Sequence, residues 1–156
     1  MNINELPIKM QNRIVITDNG CWEWTGVLTK DLYGRFAGRG AHRITAALAY
    51  GPIPTGMQVD HVCHNDDATC TSVAGCRHRR CVNPAHLRIV TPRENTLASR
   101  NTLGGKNIVK THCAAGHEFA GWNLYVPPSG ERRCRTCMAA ADARWIARRA
   151  GIPAAA

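Results

Sequence analysis

The sequence predicts a small α+β protein in two modules, stapled by metal. Three observations carry that expectation. Residues 57–102 read as strand, long loop, strand and helix. The 156-residue chain has eight cysteines but only two Phe and 6% aromatic residues, so its apolar supply is thin. Small cores of this kind usually need a metal or disulfide staple. A second set of cysteines and a histidine recurs in a basic tail at ligand spacing.

The elements follow in order. Residues 1–19 read as an N-terminal helix or arm. From Cys21 to Thr25 the pattern alternates, with Trp22 and Trp24 on one face and Cys21 and Glu23 on the other, as in a strand. Tyr33 to Gly38 is its expected hairpin partner. Ala41 to Tyr50 reads as a helix with Ile44, Ala47 and Leu48 on one face, ended by Gly51, Pro52 and Pro54. Met57 to Val62 is a short strand that delivers Asp60 and His61 to a loop, and Leu87 to Val90 is its partner. Thr91-Pro92-Arg93-Glu94 is a capping box with Pro at the first helical position. It puts Asn95 in the first turn of a helix running to about Thr102 and closed by Gly104-Gly105. Further on, Trp122 to Val126 reads as a strand, Pro127-Pro128-Ser129-Gly130 as a turn, and Arg135 to Ala150 as a helix. These readings divide the chain into an arm (1–19), a main domain (20–103), a linker (104–111) and a small basic module (112–156).

The formal net charge is +9 and the sequence pI about 9.5. Arg dominates the excess, and it binds phosphate in bidentate fashion, so a polyanion is the expected partner. The N-terminal residues lack the basic flank and apolar run of a signal peptide, and no stretch approaches a membrane span. The expected setting is therefore intracellular, with no membrane partner. Thiols stay reduced there, and the cysteines read as metal ligands before disulfides.

The chemistry concentrates in Val59-Asp60-His61, Cys81-Val82-Asn83-Pro84-Ala85-His86-Leu87 and Glu94-Asn95. Asp and Asn offer oxygen to a hard divalent cation, and His61 suits a general base near neutrality. This ordered set resembles the HNH endonucleases of the ββα-metal (His-Me finger) superfamily, in detail the His-Cys box homing endonucleases. Gly20-Cys21-Trp22-Glu23-Trp24-Thr25-Gly26 and Ala41-His42-Arg43 also resemble phage and actinobacterial HNH proteins. The likeness covers roughly residues 20–100. It implies a zinc-stapled ββα-metal nuclease domain with an N-terminal β-hairpin and helix, in a phage or bacterial cytoplasm. It also implies one-metal hydrolysis of a phosphodiester. His61 is the base, Asp60 and Asn95 hold Mg²⁺ (or Mn²⁺), and Asn83 braces the loop. A structural zinc on Cys21, Cys63, Cys81 and His86 is carried over from the same family.

The chain departs from the compact family pattern between Cys63 and Cys81, where an insertion carries His64, Cys70, Cys76 and His78. These leftovers make a Cys2His2 set for a second zinc. A Cys63/Cys70/Cys76/Cys81 cluster, a Cys70–Cys76 disulfide and free thiols stay open. In the tail, Cys113-x3-His117 and Cys134-x2-Cys137 have the spacing of paired zinc knuckles and resemble the zinc-ribbon tails of phage HNH proteins. Two to three Zn²⁺ per chain are expected, with His42, His61 and His112 outside the sets.

Arg43 is a candidate phosphate clamp by resemblance. Arg132, Arg133, Arg135, Arg144, Arg148 and Arg149 form a basic patch; Arg144 and Arg148 lie four apart, so an anion would relieve their repulsion. No aromatic–basic interleaving stands out, which favours double-stranded DNA over single strands. Two rival readings remain: a non-catalytic zinc-dependent DNA-binding protein on a nuclease fold, and a nuclease acting on RNA. Target sequence, nicking against double-strand cleavage, monomer against homodimer, and a role in homing, packaging or degradation stay open.

Overall fold

The computed structural model describes residues 1–70, 75–99 and 102–151. They form short helices and two-stranded sheets, an α+β chain in two compact units, Met1–Gly105 and Lys106–Ala156. The helices are α1 (Ile8–Gln11), α2 (Ala41–Tyr50), α3 (Val62–Asp66), α4 (Pro92–Ala98), α5 (Leu103–Ile108) and α6 (Arg135–Arg149). The strands are β1 (Ile14–Ile16), β2 (Trp22–Trp24), β3 (Arg35–Phe36), β4 (Arg39–Gly40), β5 (Gln58–His61), β6 (Leu87–Val90), β7 (Leu124–Tyr125) and β8 (Arg133–Cys134). Among the described residues no helix is long and apolar enough to cross a membrane.

The first nineteen residues are not a free arm. Leu6 and Met10 are buried with Trp24, Ala41 and Val82 in one core, and β1 pairs antiparallel with β2, Ile14 opposite Trp24. This corrects the expected partner of β2, which is β1 and not the segment Tyr33–Gly38. The turn Thr17–Gly20 closes the hairpin, with Gly20 at φ +76° and its N–H donating to Thr17 O. Val15 and Ile16 are exposed, so β1 lacks the alternation that betrays a half-buried strand. Tyr33–Gly38 instead leads into its own hairpin, with β3 and β4 joined through Ala37 and Gly38 at positive φ. At Gly34 a Cβ would come within 2.8 Å of the Trp24 ring, so only glycine lets this hairpin lie on the core.

Helix α2 has the expected bounds but a different buried face. Ala41, His42, Thr45 and Ala46 are buried, while Leu48 is 51% exposed. The periodicity misled because small and polar residues, not the large apolar ones, meet the β5–β6 sheet. Ala46 packs with Val59 and Leu87 in a second core cluster. Strands β5 and β6 pair antiparallel, with Asp60 opposite Arg88 and His61 opposite Leu87. The Thr91–Glu94 capping box is formed and starts α4, which ends at Ala98 rather than Thr102. Residues expected to be linker from 104 onward are partly helical in α5, where Gly105 is buried.

In the second unit, β7 pairs with β8, Leu124 opposite Cys134 and Tyr125 opposite Arg133. Helix α6 follows directly, with Cys134 as its N-cap accepting from Cys137 N, and no residue of α6 is buried.

Candidate active site and metal centres

The end of β5, the start of α3, the insertion and α4 enclose a cleft of about 280 Å³ in the first unit, lined among others by Tyr33, Asp60, His61, His64, Asn65, Cys76, Arg79 and Asn95. Asp60, His61 and Asn95 therefore meet in one cavity. Asn83 and Arg43 are not among its lining residues. Asn83 donates to Gly20 O (2.8 Å) and accepts from Ala85 N (3.0 Å), tying the β1–β2 turn to the Pro84–His86 turn. Arg43 sits in the first turn of α2.

His61 is 7% exposed and its Nε2 lies 3.1 Å from the carbonyl oxygen of Cys81. A carbonyl only accepts, so Nε2 carries the proton and Nδ1 keeps the lone pair. Burial pushes the imidazole down to about 4, against the pull of Cys81 O and Asp60, so the ring is neutral at pH 7. His42 stands 5.0 Å from the His61 ring and 5.2 Å from Tyr33, centroid to centroid. Burial, then His61 and Arg43, bring His42 down to about 3.

Asp60 is buried, and its Oδ2 accepts from Asn65 Nδ2 (2.8 Å) and from Arg88 through Nε (2.8 Å) and a terminal nitrogen (2.7 Å). Asn95 donates Nδ2 to Gln58 Oε1 at 2.7 Å, which leaves its own amide oxygen for another partner. Asn65 Oδ1 is shut from solvent with no hydrogen-bond partner among the described residues. An orphaned amide oxygen beside a carboxylate suits a hard cation.

Three residues of this cleft, and Arg88 bound to its Asp60, escape a reading of the sequence. Arg88 has a signal, because the β5–β6 register sets it opposite Asp60. Tyr33, Asn65 and Arg79 carry no local one. Arg79 reaches the cleft from the insertion, donating to Asp31 O (3.0 Å) with its guanidinium 5.4 Å from the Tyr33 centroid. Glu23 holds the insertion down through Arg77 (2.6 Å) and Arg80 (3.4 Å).

The cysteines and histidines converge in three sets whose ligand atoms lie within 4.8 Å of one another: Cys21, Cys63, Cys81 and His86; His64, Cys70, Cys76 and His78; Cys113, His117, Cys134 and Cys137. Their edges fit a tetrahedron. Sulfur to His86 Nδ1 is 3.5 Å from Cys21 and 3.7 Å from Cys81. Cys76 lies 3.3 Å from His64, 3.5 Å from His78 and 3.5 Å from Cys70. In the tail Cys113 lies 3.5 Å from His117 and 3.7 Å from Cys137. Zinc with bonds of about 2.0–2.3 Å needs edges of about 3.3–3.8 Å. No disulfide joins the described cysteines, and Cys70 and Cys76 gather with His64 and His78 rather than with Cys63 and Cys81. In the first set Cys63 hydrogen-bonds to Cys81 and lowers it to about 5, while burial and Cys81 raise Cys21 to about 12. Crowded thiols resist joint ionisation unless a cation shares the site.

Of the tail arginines, Arg132 donates to the carbonyls of Asn107 (3.0 Å) and Ile108 (2.8 Å) and covers Phe119 at 4.5 Å. Arg133 pairs with Glu131 at 2.7 Å. Arg135 lies 4.8 Å from the Tyr125 centroid and 5.8 Å from that of Trp122. Arg144, Arg148 and Arg149 lie exposed on α6.

Asp60 and His61 at the end of β5 and Asn95 on α4 thus line one cleft, and part of this region is similar to known proteins. Residues 39–70 match the HNH endonuclease family, a match that suggests nuclease activity. The chain is similar to Protein 7.7 of Escherichia phage T7, 36% identical over 80 residues covering 49% of this chain and 52% of that protein. It is also similar to Protein 2.8 of the same phage, 32% identical over 93 residues covering 59% of this chain and 58% of that protein. The chain thus spans little more than half the length of these curated relatives. No solved structure matches.

Proposed function

We propose that this chain is a metal-dependent endonuclease that hydrolyses a DNA phosphodiester bond in the cleft around His61. The observation that carries the reading is the orientation of His61: Nε2–H is anchored on Cys81 O, which leaves the lone pair on Nδ1, in a cleft that Asp60 and Asn95 also line. A neutral imidazole held this way can take the proton of an attacking water. Asp60 and Asn95 are the residues to hold a Mg²⁺ or Mn²⁺ ion, Asp60 through the oxygen that Arg88 and Asn65 leave unused and Asn95 through its amide oxygen. When bound, such an ion neutralises charge on the scissile phosphate and the leaving oxygen. Arg79, lining the same cleft, orients a phosphate oxygen. Arg88 fixes the plane of the Asp60 carboxylate. Asn83 acts on the scaffold.

Zinc is the group that fits the three thiol–imidazole sets, since no hard oxygen donor belongs to any of them. Cys81 belongs to the first set and also offers the carbonyl that aims His61, so that staple supports the base directly. The exposed arginines Arg144, Arg148 and Arg149 are proposed to contact the backbone of double-stranded DNA. Incubation of supercoiled plasmid with the protein and Mg²⁺ or Mn²⁺ tests the reading. Relaxed or linear product is expected; intact plasmid at every concentration of both ions would overturn it.

A further inference from the structure

The second unit holds a surface that duplex binding does not account for. Trp122 is 71% exposed, yet the turn that bears it is clamped. Next to it, Asn123 donates to the Glu118 carbonyl and accepts from Thr136 N (3.1 Å) and Thr136 Oγ1 (2.9 Å). A large apolar ring is thus held in water on a fixed backbone, where packing would normally have hidden it. Arg135 places its guanidinium 5.8 Å from the centroid of Trp122 and 4.8 Å from that of Tyr125.

The neighbouring arginines are committed and Arg135 is not. Arg132 is spent on two carbonyls and Arg133 on Glu131. Among the described residues no carboxylate pairs with Arg135, and its Nε is buried without a hydrogen-bond partner. Aromatic and basic groups that look unrelated along the chain therefore meet in space, with Arg135 over both Trp122 and Tyr125.

We propose that Trp122 and Arg135 form a platform for single-stranded DNA, with an unpaired base stacked on the indole and the adjoining phosphate met by the guanidinium. A duplex hides its π-faces in the stack, whereas every unpaired base offers one. Charge complementarity with the basic tail supplies the attraction, and the ring supplies the preference for an open strand. The proposal rests on the nucleic-acid reading of the chain and adds an open-strand site to the duplex surface assigned to α6.

The test uses the full-length His61→Ala protein, so that substrate survives, with an oligothymidylate of about 12 nucleotides, the matching oligouridylate and a duplex of equal length. Trp122→Leu should weaken oligothymidylate binding roughly 5- to 150-fold and duplex binding by less than about threefold. Trp122→Phe, which keeps a π-face, should restore most of the loss. Tryptophan fluorescence quenched by the oligonucleotide should shrink in both variants. Zinc content equal to the parent's shows that the exposed position left the fold intact. Unchanged single-strand affinity in Trp122→Leu, an equal loss on both DNA forms, or a failure of Phe to rescue would overturn the platform alone. Preference for oligouridylate by more than about tenfold would overturn the choice of DNA. A parent protein that bound none of the three would sink the nucleic-acid reading beneath it, as plasmid cleavage tests separately.

Discussion

The Nε2 of His61 lies 3.1 Å from the carbonyl oxygen of Cys81, twenty residues away, and this one contact ties the proposed general base to a residue of a candidate metal-ligand set. His61→Ala removes the lone pair at Nδ1 and should lower the cleavage rate by roughly 10²–10⁴. Zinc content and DNA affinity should hold. Plasmid cleavage at the parental rate in a pure preparation would show that another group takes the proton.

The same burial predicts where the histidines titrate. His61 and His42 are lowered to about 4 and about 3 from an ordinary value of 6.5. NMR of their Cε1 protons should show midpoints well below 6.5. The sign for stability follows. Between pH 6.5 and these values the unfolded chain binds protons that the native chain refuses, so this contribution is full above 6.5 and is lost as pH falls through the folded values. His42→Gln should flatten that slope, measured as Tm against pH and compared with the parent so that acid loss of metal cancels. Midpoints near 6.5 would mean that the rings are not desolvated.

Asn95→Ala and Asp60→Ala should lose cleavage through weaker cation binding, and raised Mn²⁺ should partly restore Asn95→Ala. Asp60→Ala should recover less, because it also strands Arg88. Equal rescue of both, or of neither, in a metal titration of initial rates would count against the assigned roles.

The second ligand set walls the cleft as well as closing the insertion, since His64 and Cys76 line it and Asn65 and Arg79 adjoin ligands. Elemental analysis of chelator-free protein should give three zinc atoms per chain. Cys76→Ser should leave two and retain most of the far-UV circular dichroism. Its cleavage rate should fall at least about tenfold as Asn65 and Arg79 lose their positions. Full activity with two zinc atoms would reduce the insertion to a passive loop.

Alanine at Arg144, Arg148 and Arg149 should lower the slope of log K against log salt on duplex DNA by about 0.9 for each phosphate that is no longer neutralised. An unchanged slope would remove α6 from the DNA surface.

Local events are written in the chain. The Thr91–Glu94 capping box starts α4 because its two hydrogen bonds need only residues three apart. Strands β5 and β6 are legible as the short segments on either side of the long loop, and Asp60, His61 and Asn95 from residue type and order. Of the three candidate ligand sets, the tail's is legible from its spacing and the first from the family resemblance, whereas the insertion's is one of several groupings the chain allows and needs the fold to gather it. Tertiary structure settles whatever depends on which surface meets which. It gives β2 the unpatterned β1 as partner, and it buries His42 and Thr45 where periodicity favours Leu48. It also brings Tyr33 and Arg79 to the cleft from segments far apart in the chain, and it sets Arg135 against Trp122 and Tyr125. Such pairings are fixed by packing over long sequence separations, where no propensity or spacing along the chain records the outcome.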